Sequence, residues 1–154
     1  MASLIDTTVI AIWAEDNSGA EAAVRQRVVL PGGLYPELFG SGATIAFIMR
    51  LVDGADIATG APKVNYSAGA LIDPDSINPD TGFAYNANPL DATDTGHGWI
   101  SYAPAGADTD TPGTYVYRWR ITYASGAVVS YPNKDWLRLD VTAEDGDPAP
   151  FPLT

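Results

Sequence analysis

Cysteine is absent from the 154 residues. Disulfide staples, thiolate zinc sites and cysteine nucleophiles are thereby excluded. Histidine occurs once, at His97. A zinc site would have to draw its other protein ligands from carboxylates, and a Ser-His-Asp triad would depend on that one ring. No Gly-x-Ser-x-Gly elbow accompanies it, and Pro31-Gly32-Gly33 and Gly40-Ser41-Gly42 lack the Lys-Ser/Thr of a phosphate-binding loop. His97 therefore reads as a loop residue ahead of a strand. Positive charge is scarce as well. Eight Lys and Arg stand against nineteen Asp and Glu, a formal net charge of -11. Such a chain repels a phosphate backbone, so no nucleic-acid partner is expected. Long apolar runs are missing too. Val9-Ile10-Ala11-Ile12-Trp13-Ala14 is too short to span a membrane, and Met1-Ala2-Ser3-Leu4-Ile5-Asp6 lacks the basic start of a secretory signal. The expectation is a protein made in the cytoplasm with no signal peptide and no membrane anchor.

No segment sustains a helical amphipathic pattern over three turns. Ser18-Gly19-Ala20-Glu21-Ala22-Ala23-Val24-Arg25-Gln26-Arg27 is the only helix-tolerant stretch, and it could equally run into a strand. What the chain does have is a period of two. In Ala43–Leu51, Ile45, Phe47, Met49 and Leu51 share one face, and Arg50 lies on the other. In Tyr115–Tyr123, Tyr115, Tyr117, Trp119, Ile121 and Tyr123 face one way; Val116, Arg118, Arg120 and Thr122 face the other. Trp136–Val141 repeats the pattern with Leu137, Leu139 and Val141 inward. These are half-buried antiparallel strands. Shorter strands are expected at 7–13, 24–30, 82–86 and 99–102.

Turn chemistry separates the runs. Asp53-Gly54, Asp110-Thr111-Pro112-Gly113 and Ala124-Ser125-Gly126-Ala127 are turn signals, the last reading as a hairpin between Trp119 and Val128-Val129. Fifteen glycines and twelve prolines fit a turn-rich all-β fold, and 46% hydrophobic residues suffice for a core. Residues 1–142 read as one domain. Within it, 53–96 forms a long acidic loop excursion holding one or two short strands. Residues 143–154, with Pro148, Pro150 and Pro152, read as an extended tail. The core is expected at Ile45, Phe47, Met49, Ile100, Tyr102, Tyr115, Tyr117, Trp119, Ile121, Leu137 and Leu139.

A family resemblance runs from Gly42 to Val141. It rests on Gly42-Ala43-Thr44-Ile45-Ala46-Phe47-Ile48-Met49-Arg50, Asp53-Gly54 and Gly98-Trp99-Ile100-Ser101-Tyr102. It continues through Asp108-Thr109-Asp110-Thr111-Pro112-Gly113-Thr114-Tyr115, Trp119-Arg120-Ile121-Thr122-Tyr123-Ala124-Ser125-Gly126 and Tyr131-Pro132-Asn133. In that order these pieces resemble the immunoglobulin-like N-terminal domain of upper baseplate proteins of tailed bacteriophages, and related small virion proteins. The resemblance implies an immunoglobulin-like antiparallel β-sandwich that docks on other virion proteins without catalysis. Two departures bear on its place. The 53–96 excursion is longer and more acidic than in that family, and the sequence stops soon after the domain. A capsid decoration (cement) protein, bound to major capsid subunits and oligomeric on the virion surface, is the first reading. A tail, neck or baseplate accessory protein is the alternative, and a glycan-binding module on the virion surface is the second.

Candidate sites follow from residue chemistry. Fifteen of the nineteen acids are Asp, most beside Gly, Pro, Thr or Asn. Their expected work is to bond nearby backbone N–H groups in turns rather than to form a catalytic pair. Asp73, Asp75, Asn78 and Asp80 offer hard oxygen ligands on one loop, so Ca²⁺ is the one metal considered, with Asp108 and Asp110 as a weaker set. Otherwise no cofactor is expected. Trp99 and Trp136 alternate against inward residues and so point outward, suiting a protein interface or a sugar platform. Arg25 and Arg27 share the i, i+2 spacing of Arg118 and Arg120, and Arg138 follows on the last strand. Were these strands neighbours, an arginine stripe would cross a sheet and dock on an acidic patch. Phe151 and Leu153 on the tail could reach a neighbouring subunit, so the tail is expected to serve assembly.

Overall fold

The structure, a computed structural model, describes residues 5–13 and 23–142. The tail with Phe151 and Leu153 lies outside the described residues, as do residues 14–22. Ten strands form two sheets: β1 (Ile5–Trp13), β2 (Val24–Arg27), β3 (Thr44–Asp53), β4 (Asp56–Ile57), β5 (Val64–Ala68), β6 (Ala70–Leu71), β7 (Trp99–Tyr102), β8 (Gly113–Thr122), β9 (Val128–Tyr131) and β10 (Trp136–Thr142). The larger sheet runs β1-β10-β8-β3-β4, with β5 also on β3 and β9 also on β8. The smaller runs β2-β7-β6. All pairings are antiparallel except β1 with β10, which is parallel. Among the described residues there is no α-helix, only a 3₁₀ turn at Gly106–Thr109. The fold is all-β.

The two sheets meet through aromatic rings. Phe47 of the larger sheet stacks on Tyr102 of the smaller at 4.4 Å and 7°. It also touches Tyr117 at 5.3 Å and Trp119, edge-on, at 4.9 Å. All eleven residues expected in the core are buried. Period-two alternation identified them because only one face of each strand meets the opposite sheet. Two face assignments need correction. Leu51, expected inward, is 42% exposed. Its row is covered at Tyr115 and Leu139, but Leu51 lies on the outer side of the sheet, past the last β5 pair of Met49 with Val64 and beside only the two-residue β4. Val116, expected outward, is fully buried. It sits between Arg50 and Arg138 in the register, and the aliphatic stems of long side chains cover apolar surface in such rows.

The 53–96 excursion also divides differently from expectation. Its first part is sheet, holding β4, β5 and β6; the loop proper spans 72–98. The strand expected at 82–86 is absent, leaving a single bridge between Ile77 and Ala84. The 24–30 strand stops at Arg27. Beyond it Leu30 and Leu34 close a turn around Gly32 and Gly33, both at positive φ. The hairpin expected at 124–127 is present, with Tyr123 N–H donating to the Ala127 carbonyl and Gly126 at φ 91°.

Before β8, the buried Tyr115 hydroxyl donates back to the Thr111 carbonyl at 2.7 Å and closes the corner leading into the strand. Tyr115→Phe keeps the ring and removes the bond. A loss of about 1 kcal/mol in urea unfolding is expected; an unchanged midpoint would show the bond contributes nothing.

Candidate functional site

The 72–98 loop is held by its own turns and by two arginines of β2. Asp73 Oδ1 accepts from Asp75 N–H, Asn78 Oδ1 from Asp80 N–H, Asn88 Oδ1 from Leu90 N–H, Asp91 Oδ1 from Thr93 N–H and Asp94 Oδ1 from Gly96 N–H. Side-chain capping of turns is therefore what the acids and amides of this loop do. Arg27 grips Asp94 with two hydrogen bonds, Nη1 to Oδ2 at 2.9 Å and Nη2 to Oδ1 at 2.5 Å, and Nε donates to the His97 carbonyl. Its guanidinium lies 3.5 Å over the Tyr35 ring. The Asp94 side chain is only 9% exposed. The bond from Arg27, with help from Gly96 N–H and Asn88, holds its carboxyl well below the usual range against the cost of burial.

Arg25 donates to Asn78 Oδ1 and Asp80 Oδ1, both at 3.1 Å. That settles where the calcium candidates go. Asn78 and Asp80 meet a guanidinium, Asp73 caps its turn, and Asp75 accepts from Asn86. Among the described residues no group of three or more His, Cys, Asp or Glu side chains is arranged to hold a metal ion. The weaker candidates part likewise. Asp108 accepts from the Tyr102 hydroxyl and Ala105 N–H, while Asp110 pairs with Lys63 at 2.6 Å. Burial first, and the Asp108 contact second, raise the Tyr102 hydroxyl well above its ordinary pKa. His97 stands in the loop ahead of β7, 3.9 Å from Glu37.

Trp99 does point away from the core, as its alternation implies, but it is only half-exposed. Tyr85 of the loop lies over it at 5.2 Å and Arg27 at 5.6 Å. Trp136 is half-buried as well, with the Arg118 guanidinium 5.1 Å from its ring. Neither is a bare platform for a sugar.

The arginines fall on two different sheets. Arg25 and Arg27 belong to the smaller sheet and the loop, so the expected stripe does not include them. Arg118, Arg120 and Arg138 do lie on adjacent strands, and Arg50 of β3 joins them. Arg50 and Arg138 flank Val116, Ile48 pairs with Arg118, and Ala46 with Arg120. Each guanidinium is positioned by neighbours. Arg118 Nη2 donates to the Pro132 and Asn133 carbonyls, both at 3.0 Å. Arg120 lies 3.8 Å over the Tyr66 ring, Arg50 donates to the Gly60 carbonyl at 2.7 Å, and Arg138 pairs with Asp140 at 3.1 Å.

Tyr66 reaches Arg120 through strain. Residues Asn65 and Tyr66 oppose Ile48 alone, a bulge in β5, and Tyr66 takes φ 52°. A bulky residue in that region costs about 1–2 kcal/mol. Sequence reading missed both Arg50 and Tyr66. Arg50 shows the right alternation, but only the register of β3 on β8 brings it beside the other arginines. Nothing local announces the bulge.

An open hollow of about 350 Å³ beside Tyr35 is lined by groups already paired with one another, Arg27, Asn88, Asp91, Thr93 and Asp94 among them. No protein-family model matches the chain, and no curated protein matches its sequence.

Proposed function

We propose that this chain is a non-catalytic docking domain of immunoglobulin-like topology on a tailed-phage particle, seating the arginine face of its larger sheet on an acidic patch of a neighbouring virion protein. The carrying observation is charge placement. In a chain of net charge -11, Arg50, Arg118 and Arg120 share one sheet face and have no carboxylate partner among the described residues. Carbonyls and rings hold them in place but leave their charge uncompensated. Pre-positioned cations flanked by Trp136 and Tyr66 suit a protein interface, where Arg, Trp and Tyr are enriched. The strained Tyr66 fits the same reading, because backbone strain gathers at functional surfaces.

Three features support the immunoglobulin-like topology. The first strand pairs in parallel with the last, a three-strand sheet faces the larger one, and Tyr115 bonds back at the corner entering β8. With the sequence resemblance, they favour a virion structural role, with head decoration as the first assignment and a tail, neck or baseplate position as the alternative.

The test is quantitative mass spectrometry of particles from the source of this gene, with Arg120→Glu beside the native chain. Head decoration predicts on the order of hundreds of copies, a neck or baseplate position about a dozen. Arg120→Glu is expected to lower occupancy at least about tenfold while thermal melting of the purified protein is little changed. Absence of the native chain from particles would overturn the virion reading, and unchanged occupancy of the variant the arginine face.

A further inference from the structure

The hollow beside Tyr35 opens on the side of the sandwich away from the arginine face. Val24 is buried, and Gln26 accepts from the Tyr117 hydroxyl of the larger sheet, so Arg25 and Arg27 point outward from β2. Arg27 therefore carries the 72–98 loop on the outer face of the smaller sheet, and the hollow of about 350 Å³ forms there. That volume lies within the range of small-molecule sites, about 300–1,000 Å³.

Its walls are set in advance. Arg27 Nη1 and Nη2 hold Asp94, Nε holds the His97 carbonyl, and the guanidinium covers one face of the Tyr35 ring. Asn88 Nδ2 donates to Asp94 Oδ2 at 3.2 Å. Asp91 Oδ1 accepts from both the N–H and the hydroxyl of Thr93. Such cross-bracing keeps the lining side chains in place without a ligand.

The groups left over define what fits. Among the described residues, Asp91 Oδ2 and the hydroxyls of Tyr35 and Thr95 have no hydrogen-bond partner in the protein. Asn88 Nδ2 has a second proton to donate. The Tyr35 ring is 45% exposed. Anions are disfavoured, because Asp94 neutralises the guanidinium and Asp91 adds negative charge at the rim. A wholly apolar ligand would leave the polar groups unpaired. A small cation would satisfy Asp91 but meet the donor N–H of Asn88. A pyranose meets every requirement: its hydroxyls donate to the carboxylate and accept from the amide, and its C–H face lies on the ring.

We propose that this hollow binds an uncharged pyranose residue of a glycan, with Asp91 and Asn88 holding its hydroxyls and Tyr35 its apolar face. A domain seated by the arginine face presents the hollow outward. The binding itself does not rest on the docking reading and is measured on the purified full chain.

The experiment is an amide NMR titration with the methyl glycosides of glucose, galactose, mannose and N-acetylglucosamine, whose methyl group stands for a glycosidic bond. At least one is expected to bind saturably with a dissociation constant on the order of 1 mM, moving the amides of Thr93, Thr95 and Gly96. Tyr35→Ala and Asp91→Asn are each expected to weaken that binding at least about tenfold. Asp91→Asn keeps Oδ1 as the cap of Thr93 and turns the free acceptor into a donor, so the loop stays in place. An unmoved Gly96 amide in the ligand-free variants checks this; should Tyr35→Ala disturb the loop, Asp91→Asn decides. No saturable shift from any of the glycosides, shifts confined to residues away from the hollow, or binding that survives Asp91→Asn would each overturn the proposal. So would methylammonium chloride moving these amides where the glycosides do not, which would make the hollow a cation site.

Discussion

Phe47→Ala is expected to destabilise the domain by about 3–5 kcal/mol, read from the urea midpoint. The ring is 1% exposed and is the hub of the aromatic core, stacked on Tyr102 and in contact with both Tyr117 and Trp119. Its removal leaves a cavity where the two sheets meet, bounded by stiff rings on both sides that cannot collapse inward. Since domains are stable by only about 5–15 kcal/mol, the variant should be partly unfolded at growth temperature. Phe47→Leu keeps most of the volume and should lose less. Equal losses for the two variants would mean that the lost ring contacts account for the whole effect and the cavity volume for none of it.

Arg27→Ala is the second large effect, about 2–4 kcal/mol. Its side chain is 14% exposed and its partner Asp94 is 9% exposed, so removing the guanidinium strands a carboxylate in a largely dry position. The loss should concentrate in the 72–98 loop, because Arg27 also holds the His97 carbonyl and lies over Tyr35. Amide exchange there should rise before the β3 and β8 amides respond. The pair also sets an acid limb. Asp94 has its folded-state pKa depressed below the unfolded value of about 3.9, so its stabilisation is fully present above pH 4 and fades as pH falls below that. Asp94→Asn should lower stability at neutral pH and flatten the decline below pH 4. A variant with the native acid limb would show that this carboxylate is not what titrates.

Much of the core was legible because the information is local. Alternation marks which residues share a face, and Phe47, Trp119 and Leu139 needed only their neighbours two residues away. The hairpin at 124–127 and the turn-capping aspartates were legible for the same reason. Leu51 and Val116 went the other way because burial depends on what lies opposite. A leucine past the end of β5 has only the two-residue β4 beside it, and two arginine stems can cover a valine. The short β5 and β6 were hidden in a stretch rich in Pro, Asp and Gly, where pairing with β3 and β7 outweighs weak local preference.

The amino-acid sequence by itself determined that this is an acidic, cysteine-free, all-β protein, with its inward faces and many of its turns already written in residue order. Only the tertiary structure decided which strands are neighbours. That separated Arg25 and Arg27, which pin a loop, from Arg50, Arg118 and Arg120, which form a face. The physical reason is that strand alternation is a property of adjacent residues, whereas register and sheet order are fixed by contacts between residues far apart in the chain.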